Sequence, residues 1–500
     1  MSEQNQEDLV SELELNQYIA ARVKKLETIQ AAGINPYPSG PFLKEAIADV
    51  IGRPLGEQAK IAGRIMRERV MGSIAFFELK DESGQMQVVL SKKDLAESLP
   101  GVDFDFWTAN LDLGDIIGVS GERFDTKTGE RSVKIKELIL LSKSLRPLPD
   151  KFKGLRDEET KLRKRYLDIL YNAETRDLIY QKDKFWNSTR QFLKNHGFIE
   201  VYTPVLEITT GGGDARPFKT HHNALDMEVY LRISNGELWQ KRLMVAGLEK
   251  TFEIGRQFRN EGMSAEHLQE YDQMEFYWAY ANYELGMNLV RDLFRHVARE
   301  TFGTETFVMN RHGARFEINL AKPWERYDFN ETISNLTGIN AATAKLEDLV
   351  RKLDSLKAHY DPKGINRARA LDALWKWCRV KIAGPGFLIN EPLELSPLAK
   401  RKAGVPGIVE RFHVIIAGSE LGNGYSELND PIDQRARFDE QQRLRDAGDE
   451  EAQMSDLDFV EALEYGMPPT CGFGMSERVF AYMTDRTVRE CQTFPLMRPI

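Results

Sequence analysis

Four stretches in the second half of the chain set charged or polar groups inside apolar or tightly turning contexts: FEIGRQFRNEG (252–262), QMEFYWAY (273–280), SELGNGYSEL (419–428) and CGFGMSERVF (471–480). Arg259 and Arg478 are suited to neutralise phosphate through paired N–H donors. Glu237, Glu275, Glu420 and Glu427 are suited to hold magnesium or ammonium groups. Glu275 and Tyr277 stand two apart, as do Asn423, Tyr425 and Glu427, and on a strand such residues share a face, so each run can line a pocket. Singly, each has a plainer reading. An Arg in a strand serves as ion-pair partner to a neighbouring Glu, and carboxylates alternating with aromatics make a strand with one wet face. Together they supply what a nucleotide and an amino acid require. The chain has no G-x-x-x-x-G-K-[ST] and no G-x-G-x-x-G opening a βαβ unit, and no helix pattern follows the glycine run of TTGGGDARP (209–217).

These groups need elements to position them. Residues 9–31 place apolar side chains at helical intervals and stop at Gly33, with INPYPSG as a breaker, which predicts a surface helix ahead of the first domain. From 58 to 145 the texture changes to short alternating runs (AKIAGRIM, IAFFELKD, QMQVVLS, DIIGVSGERF, SVKIKELILL) separated by Gly, Asp and Ser. Five strands in that length predict a small closed barrel of the nucleic-acid-binding kind. RPLPDKFKG (146–154) reads as a linker. Residues 176–198 form a long helix with one apolar stripe, which must pack on a sheet or on another subunit. Strand-like runs follow, mixed with helices such as RVFAYMT, and 336–384 reads as a helical insertion without chemistry of its own. The resulting division is a helical extension (1–50), a barrel (51–150), a linker (151–170) and a second domain (171–500).

Five hundred residues exceed what one core supports. With 42% hydrophobic and 29% charged residues the composition is that of a globular chain. No stretch approaches the roughly 20 apolar residues of a membrane span, and MSEQNQED lacks the basic start and apolar run of a secretory signal. The expectation is a cytoplasmic protein with no membrane partner. Cys378, Cys471 and Cys491 are too few for a disulfide framework, lack zinc-site spacing, and read as buried thiols. A net charge of −9 argues against a polyanionic partner only on average. KIAGRIMRER (60–69) and KLRKRY (161–166) allow a local basic face, or simply a solvated one.

From about residue 10 to its end the chain resembles a class II lysyl-tRNA synthetase of the bacterial type. Three short motifs of that class stand in order: GFIEVYTPVL (197–206), FRNEG (258–262) with its loop to EFYWAY, and GFGMSERV (472–479). Between and after them come ELSPLAKR (394–401), YSELNDPIDQRARF (425–438), ALEYGMPPT (462–470) and FPLMRP (494–499). The resemblance implies an α+β fold, with an N-terminal five-stranded oligonucleotide-binding barrel followed by six or seven antiparallel strands flanked by helices. It implies ATP as substrate with magnesium, attachment of lysine to tRNA(Lys) through a lysyl adenylate, and a homodimer formed through the 176–198 helix and the first motif.

Matched position by position, the family's roles fall as follows. Arg259 would bind the α-phosphate and the lysine carboxylate, Glu261 the adenine amino group, and Tyr271 and Arg478 the two faces of adenine. Gly212 and Glu237 would hold the α-ammonium and Asn423 the carboxylate. Glu275, Tyr277, Tyr425 and Glu427 would enclose the side-chain ammonium, while Arg69, Phe76 and Gln87 would read the central anticodon uridine. The chain departs from the family at four places. His413 stands where a magnesium-binding Glu is usual, which leaves Glu420 as the main metal ligand. Glu266 stands where an Arg meets the γ-phosphate, which leaves His267 and Arg478 nearest it. SNGELW (234–239) is one residue longer than usual, and GFGMSER is one shorter and ends in Glu-Arg instead of Asp-Arg. Two other readings follow from these features: an aspartyl or asparaginyl ligase, which shares the barrel, and a tRNA-binding regulatory paralogue that activates no amino acid.

Overall fold

The computed structural model describes residues 12–95, 99–149, 157–213, 215–363, 365–446 and 453–499. The chain divides into two compact units, Met1–Lys161 and Leu162–Ile500. Residues 1–11 of the expected extension and 150–156 of the expected linker lie outside the described residues. Among the described residues no helix is long and apolar enough to cross a membrane.

In the first unit, β1 (Gln58–Met71), β2 (Ile74–Lys80), β3 (Gln85–Ser91), β4 (Ile116–Asp125) and β5 (Arg131–Ser142) close into a barrel of order β1-β2-β3-β5-β4. Alternation builds the core: Ala75, Phe77 and Leu79 of β2 point inward and are fully buried, while Phe76 and Glu78 between them remain partly open. A register shift at Ile65/Arg67 lets the long β1 bend and pair with both β2 and β4. The N-terminal helix (Glu12–Ala31) is docked on the barrel, not free on its surface. Ile29 is buried in the barrel core, and Arg22 donates to the carbonyls of Ser144 at 3.2 Å and Arg146 at 3.0 Å.

The second unit holds β6 (Ile199–Glu200), β7 (Leu206–Glu207), β8 (Lys219–His222), β9 (Met227–Leu231), β10 (Lys250–Phe258), β11 (Glu270–Ala279), β12 (Thr306–Arg311), β13 (Ala314–Asn319), β14 (Glu325–Asp328), β15 (Gly386–Ile389), β16 (Arg411–Ile416), β17 (Ser419–Ser426) and β18 (Thr470–Ser476). Eight of them form one sheet, in the order β14-β15-β16-β17-β18-β11-β10-β6. The sheet is antiparallel except at its edges, where β14 runs parallel to β15 and β6 to β10. Parallel neighbours need a crossover. For β14 and β15 the crossover is the region expected to be an insertion, which folds as helices Leu346–Leu356 and Arg367–Arg379 behind Phe329–Thr337. Stretch 157–171 is helical as well, and Arg165 and Asp168 are buried together at 3.0 Å.

One face of the sheet carries the core. Met274 and Phe276 of β11, and Cys471, Phe473 and Met475 of β18, pack under Phe185 and Phe192 of helix Ala173–Asn195 and under Val290, Leu293 and Phe294 of helix Tyr283–Phe302. The longer of these helices stops at Gly197, whose φ of 82° suits glycine. All three cysteines are buried free thiols. By the period-2 rule the intervening residues face the opposite side, where the cavity lies.

Candidate functional site

One cavity on that side brings together Gly212, Glu237, Arg259, Glu261, His267, Tyr271, Glu275, Tyr277, His413, Glu420, Asn423, Tyr425, Glu427 and Arg478. Its floor is kept low by glycine. β18 alternates Gly472 and Gly474 on the cavity side with Phe473 and Met475 on the core side, and a Cβ at Gly472 would run into Glu427 and Tyr277. Gly212, at φ 88°, likewise leaves no room for a side chain, since its Cβ would stand 2.8 Å from Glu237 Oε2.

At one end three carboxylates converge. Glu275 accepts from Gln273 Nε2 at 2.6 Å, the Asn235 amide at 2.9 Å and the Tyr277 hydroxyl at 3.0 Å. Burial, with Glu237 nearby, pushes its pKa up to about 7. Glu237 accepts from the Tyr425 hydroxyl and from Lys241 Nζ at 2.8 Å, and the same ammonium lies 2.5 Å from Glu427 Oε2. Burial and the neighbouring Glu237 and Glu275 push Glu427 upward against the pull of Lys241. Lys241, fully buried and set over the Tyr425 ring, stays charged because the two acids outweigh its desolvation. Sequence reasoning missed it. The Glu-to-Lys spacing of four in GELWQKR is visible, but so are many such pairs on wet helices. In SNGELW, Gly236 (φ 64°) stands immediately before helix Glu237–Val245, and Glu237 lines the cavity.

The other end is built from distant segments. The loop after β10 carries Arg259, whose guanidinium lies 5.9 Å from the Tyr271 ring centre, and Glu261, Glu266 and His267. Glu266 turns to Arg478, 2.8 Å away, so the acid at this position occupies the guanidinium expected to meet ATP. His267 is pushed down to about 4 by burial and by Arg478, hence neutral at pH 7. Glu420 accepts from Trp375 Nε1 at 2.5 Å. Burial would raise its pKa, but His413, Arg379 and the Trp375 hydrogen bond hold it down at about 2. Trp375 and Arg379 come from the helical insertion, which therefore reaches the Glu420 carboxylate.

His413 does not join Glu420 as a metal ligand. Its Nε2 lies 3.0 Å from Glu391 and its Nδ1 3.8 Å from Glu420, so the two acids sit on opposite edges of one ring instead of converging on an ion. Among the described residues no group of three His, Cys, Asp or Glu is arranged to hold a metal. The residues do not fit a protein-held magnesium ion, and only Glu420 remains for one that arrives with a nucleotide. Asn423 accepts from Arg411 Nε at 2.9 Å. Glu477, in the shortened third motif, is turned away to Lys182 and Gln492 and is nearly fully buried.

In the first unit, Arg69 of β1 is the register partner of Phe76 of β2, with its guanidinium 5.1 Å from the ring centre. Gln87 of β3 pairs with Glu78, two residues along β2 from Phe76, and donates to Ser132 Oγ at 2.8 Å. All three lie outside the barrel core.

Residues 157–498 match the family of class II tRNA synthetases (D, K and N), and residues 59–141 match the OB-fold nucleic acid binding domain. Proteins named lysine–tRNA ligase are similar along the whole chain. The one from Aromatoleum aromaticum is 43% identical over the full length of both chains, and those from Thermosipho africanus and Thermotoga maritima are each 41% identical over 97% of both. The chain belongs to the class II lysine–tRNA ligase family. The expected α+β architecture is therefore the observed one, with parallel strands added at both sheet edges. Two of the four departures, Glu266 and His413, lie at the cavity end that the insertion reaches, whereas SNGELW lies at the end that carries Glu237, Glu275 and Glu427 together.

Proposed function

We propose that the chain activates lysine with ATP and transfers it to tRNA(Lys). The observation that carries the reading is the charge of the closed end of the cavity. Among the described residues, Glu237, Glu275 and Glu427 are opposed there by the ammonium of Lys241, which both Glu237 and Glu427 already engage. When all three acids are ionised, two negative charges remain for a ligand, matching the α- and ε-ammonium groups of lysine. An aspartate or asparagine side chain would meet carboxylates with no cation left to receive it, and unpaired buried charge costs several kcal/mol. The relatives named lysine–tRNA ligase support the same choice.

In this reading Glu237 with the Gly212 cradle takes the α-ammonium, and Asn423 and Arg259 take the carboxylate. Glu275 and Glu427 take the side-chain ammonium, with Tyr277 and Tyr425 closing around it. The lysine carboxylate is already ionised at neutral pH, so its attack on the α-phosphorus of ATP requires no general base. Alignment and neutralisation of charge on the phosphate oxygens suffice. Arg259, next to Gly213 and Tyr271, would do both, with Tyr271 and Glu261 receiving adenine and Arg478 and His267 lying further along the cavity. Magnesium enters as part of the MgATP substrate, with Glu420 to meet it. The acyl group then passes to the terminal ribose of tRNA, whose anticodon Phe76 stacks on while Arg69 and Gln87 contact base edges. A homodimer agrees with the apolar side chains of Ile199, Tyr202, Val205 and Ile208, which are exposed around the first motif.

ATP–pyrophosphate exchange measured with each of the twenty amino acids tests the proposal. Lysine alone should support exchange. Exchange with aspartate or asparagine would transfer the chain to the rival ligases, and tRNA binding without any exchange would make it a regulatory paralogue.

A further inference from the structure

Beside Glu420, which lines the cavity, the insertion places a cation that nothing in the local sequence marks as functional. Trp375 and Arg379 lie four residues apart on helix Arg367–Arg379 and so share one face. Trp375 Nε1 donates to Glu420 Oε1 at 2.5 Å, while Arg379 Nη1 stands 3.9 Å from Glu420 Oε2, beyond hydrogen-bonding distance. Arg379 Nε is buried with no hydrogen-bond partner among the described residues. A guanidinium has five N–H donors in a fixed fork, so Arg379 is held beside the cavity with donors to spare.

The neighbours leave that capacity unused. Glu266 brings negative charge and takes Arg478 at 2.8 Å. His267, held at about 4 by burial and by Arg478, contributes no charge at pH 7. His312, the other base nearby, lies 3.8 Å from Glu266, and burial lowers its pKa too. The charge of Arg379 is felt by Glu420 and also by His312, His267 and Glu266.

We propose that Arg379 binds the terminal phosphates of ATP, supplying from the helical insertion the cation that position 266 does not. Trp375 fixes the Glu420 carboxylate from the same helix face, so one crossover helix positions both the acid that meets magnesium and the cation that meets phosphate. The inference rests on reading the cavity as an ATP site.

Calorimetric titration of the full chain with ATP and with AMP, in magnesium, tests it without requiring turnover. Arg379→Ala should weaken ATP binding by about ten- to a hundredfold, the size of one charge-assisted hydrogen bond, and leave AMP within about twofold, because AMP lacks the phosphates concerned. Arg379→Lys, which keeps the charge but loses the fork, should fall between. Adding Glu266→Arg to Arg379→Ala should recover most of the ATP affinity by returning a cation to the same end. Unchanged ATP binding, or equal weakening of ATP and AMP, overturns the proposal. The second result would show that Arg379 only supports the fold. A wild type that binds ATP but shows no lysine-dependent exchange would refute the proposed function while the ATP-to-AMP comparison still judges Arg379. A wild type that binds no ATP refutes both.

Discussion

Replacing Glu427 by Gln should raise the KM for lysine far more than that for ATP. The size follows from what Glu427 touches. Its cation is Lys241, 2.5 Å away, and Lys241 keeps Glu237 at 2.8 Å when Glu427 becomes an amide. The penalty of stranding a buried charge, about 3–5 kcal/mol, is therefore avoided. What is lost is one of two carboxylates facing the incoming ε-ammonium, with Glu275 left in place. One charge-assisted hydrogen bond is worth about 1.5–3 kcal/mol, or roughly ten- to 150-fold in an equilibrium constant. The pH dependence gives a second readout. Burial and the neighbouring acids raise Glu427, and burial with Glu237 lifts Glu275 to about 7. A protonated acid cannot accept from an ammonium as a carboxylate does, so lysine should bind the wild type more tightly as pH rises through neutrality. Glu427→Gln should keep only the part of that slope that belongs to Glu275. Pyrophosphate exchange across the neutral and mildly alkaline range measures both effects. A lysine KM that does not move, or an ATP KM that rises in step with it, refutes the assignment.

Phe76→Ala should reduce aminoacylation by about 1–3 kcal/mol of lost base stacking without altering adenylate formation measured in the absence of tRNA. Because Phe77, and not Phe76, fills the barrel core, equal losses in the two assays would show that the ring does not read tRNA. Lys241→Met should destabilise the second unit by about 3–5 kcal/mol at neutral pH, since Glu237 and Glu427 would face each other unneutralised. The deficit should shrink on acidification as the Glu427 carboxyl, raised by burial and its acidic neighbours, takes up a proton; thermal melts over pH decide it, and a pH-independent deficit would assign Lys241 to packing alone. His413→Glu would put a third acid beside Glu391 and Glu420, so its unfolding temperature should rise on adding magnesium and its magnesium optimum for exchange should move downward. A melting temperature indifferent to magnesium would count against an oxygen-ligand site there.

What the sequence made legible depended on how each part of the site is built. Part of the acidic end of the cavity rests on β11 and β17, where spacing by two fixes a common face, so Glu275 with Tyr277, and Asn423 with Tyr425, could be grouped from their spacing alone, whereas Glu237 and Lys241 come from a helix. The glycines of GFGM belong to the same pattern, small toward the cavity and apolar toward the core. The barrel was legible for the same reason: Phe77 buried and Phe76 partly open is alternation again. Lys241 escaped notice because its value lies in being buried between two acids, and its helix shows a low contrast between faces. The parallel edges of the sheet were hidden as well, since a crossover is a property of pairing and not of any one run.

The phosphate end is illegible for a deeper reason, and that reason makes sense of the departures. Glu266, His413, Glu391 and Arg379 lie in four separate segments, and each looks unfavourable when taken alone: an acid where phosphate should bind, an imidazole where a metal ligand is usual, a fully buried acid, a buried guanidinium. In space they compensate. His413 and Arg411 hold the buried Glu391 below the usual carboxylate range despite its desolvation, and Arg478 and His312 do the same for Glu266. His413 and Arg379 hold Glu420 ionised at about 2, ready for a cation. Residues that look unfavourable singly are thus paired with partners from other segments. The departures at Glu266 and His413 are therefore each met by an opposite or hydrogen-bonding partner nearby, Arg478 for Glu266 and Glu391 for His413.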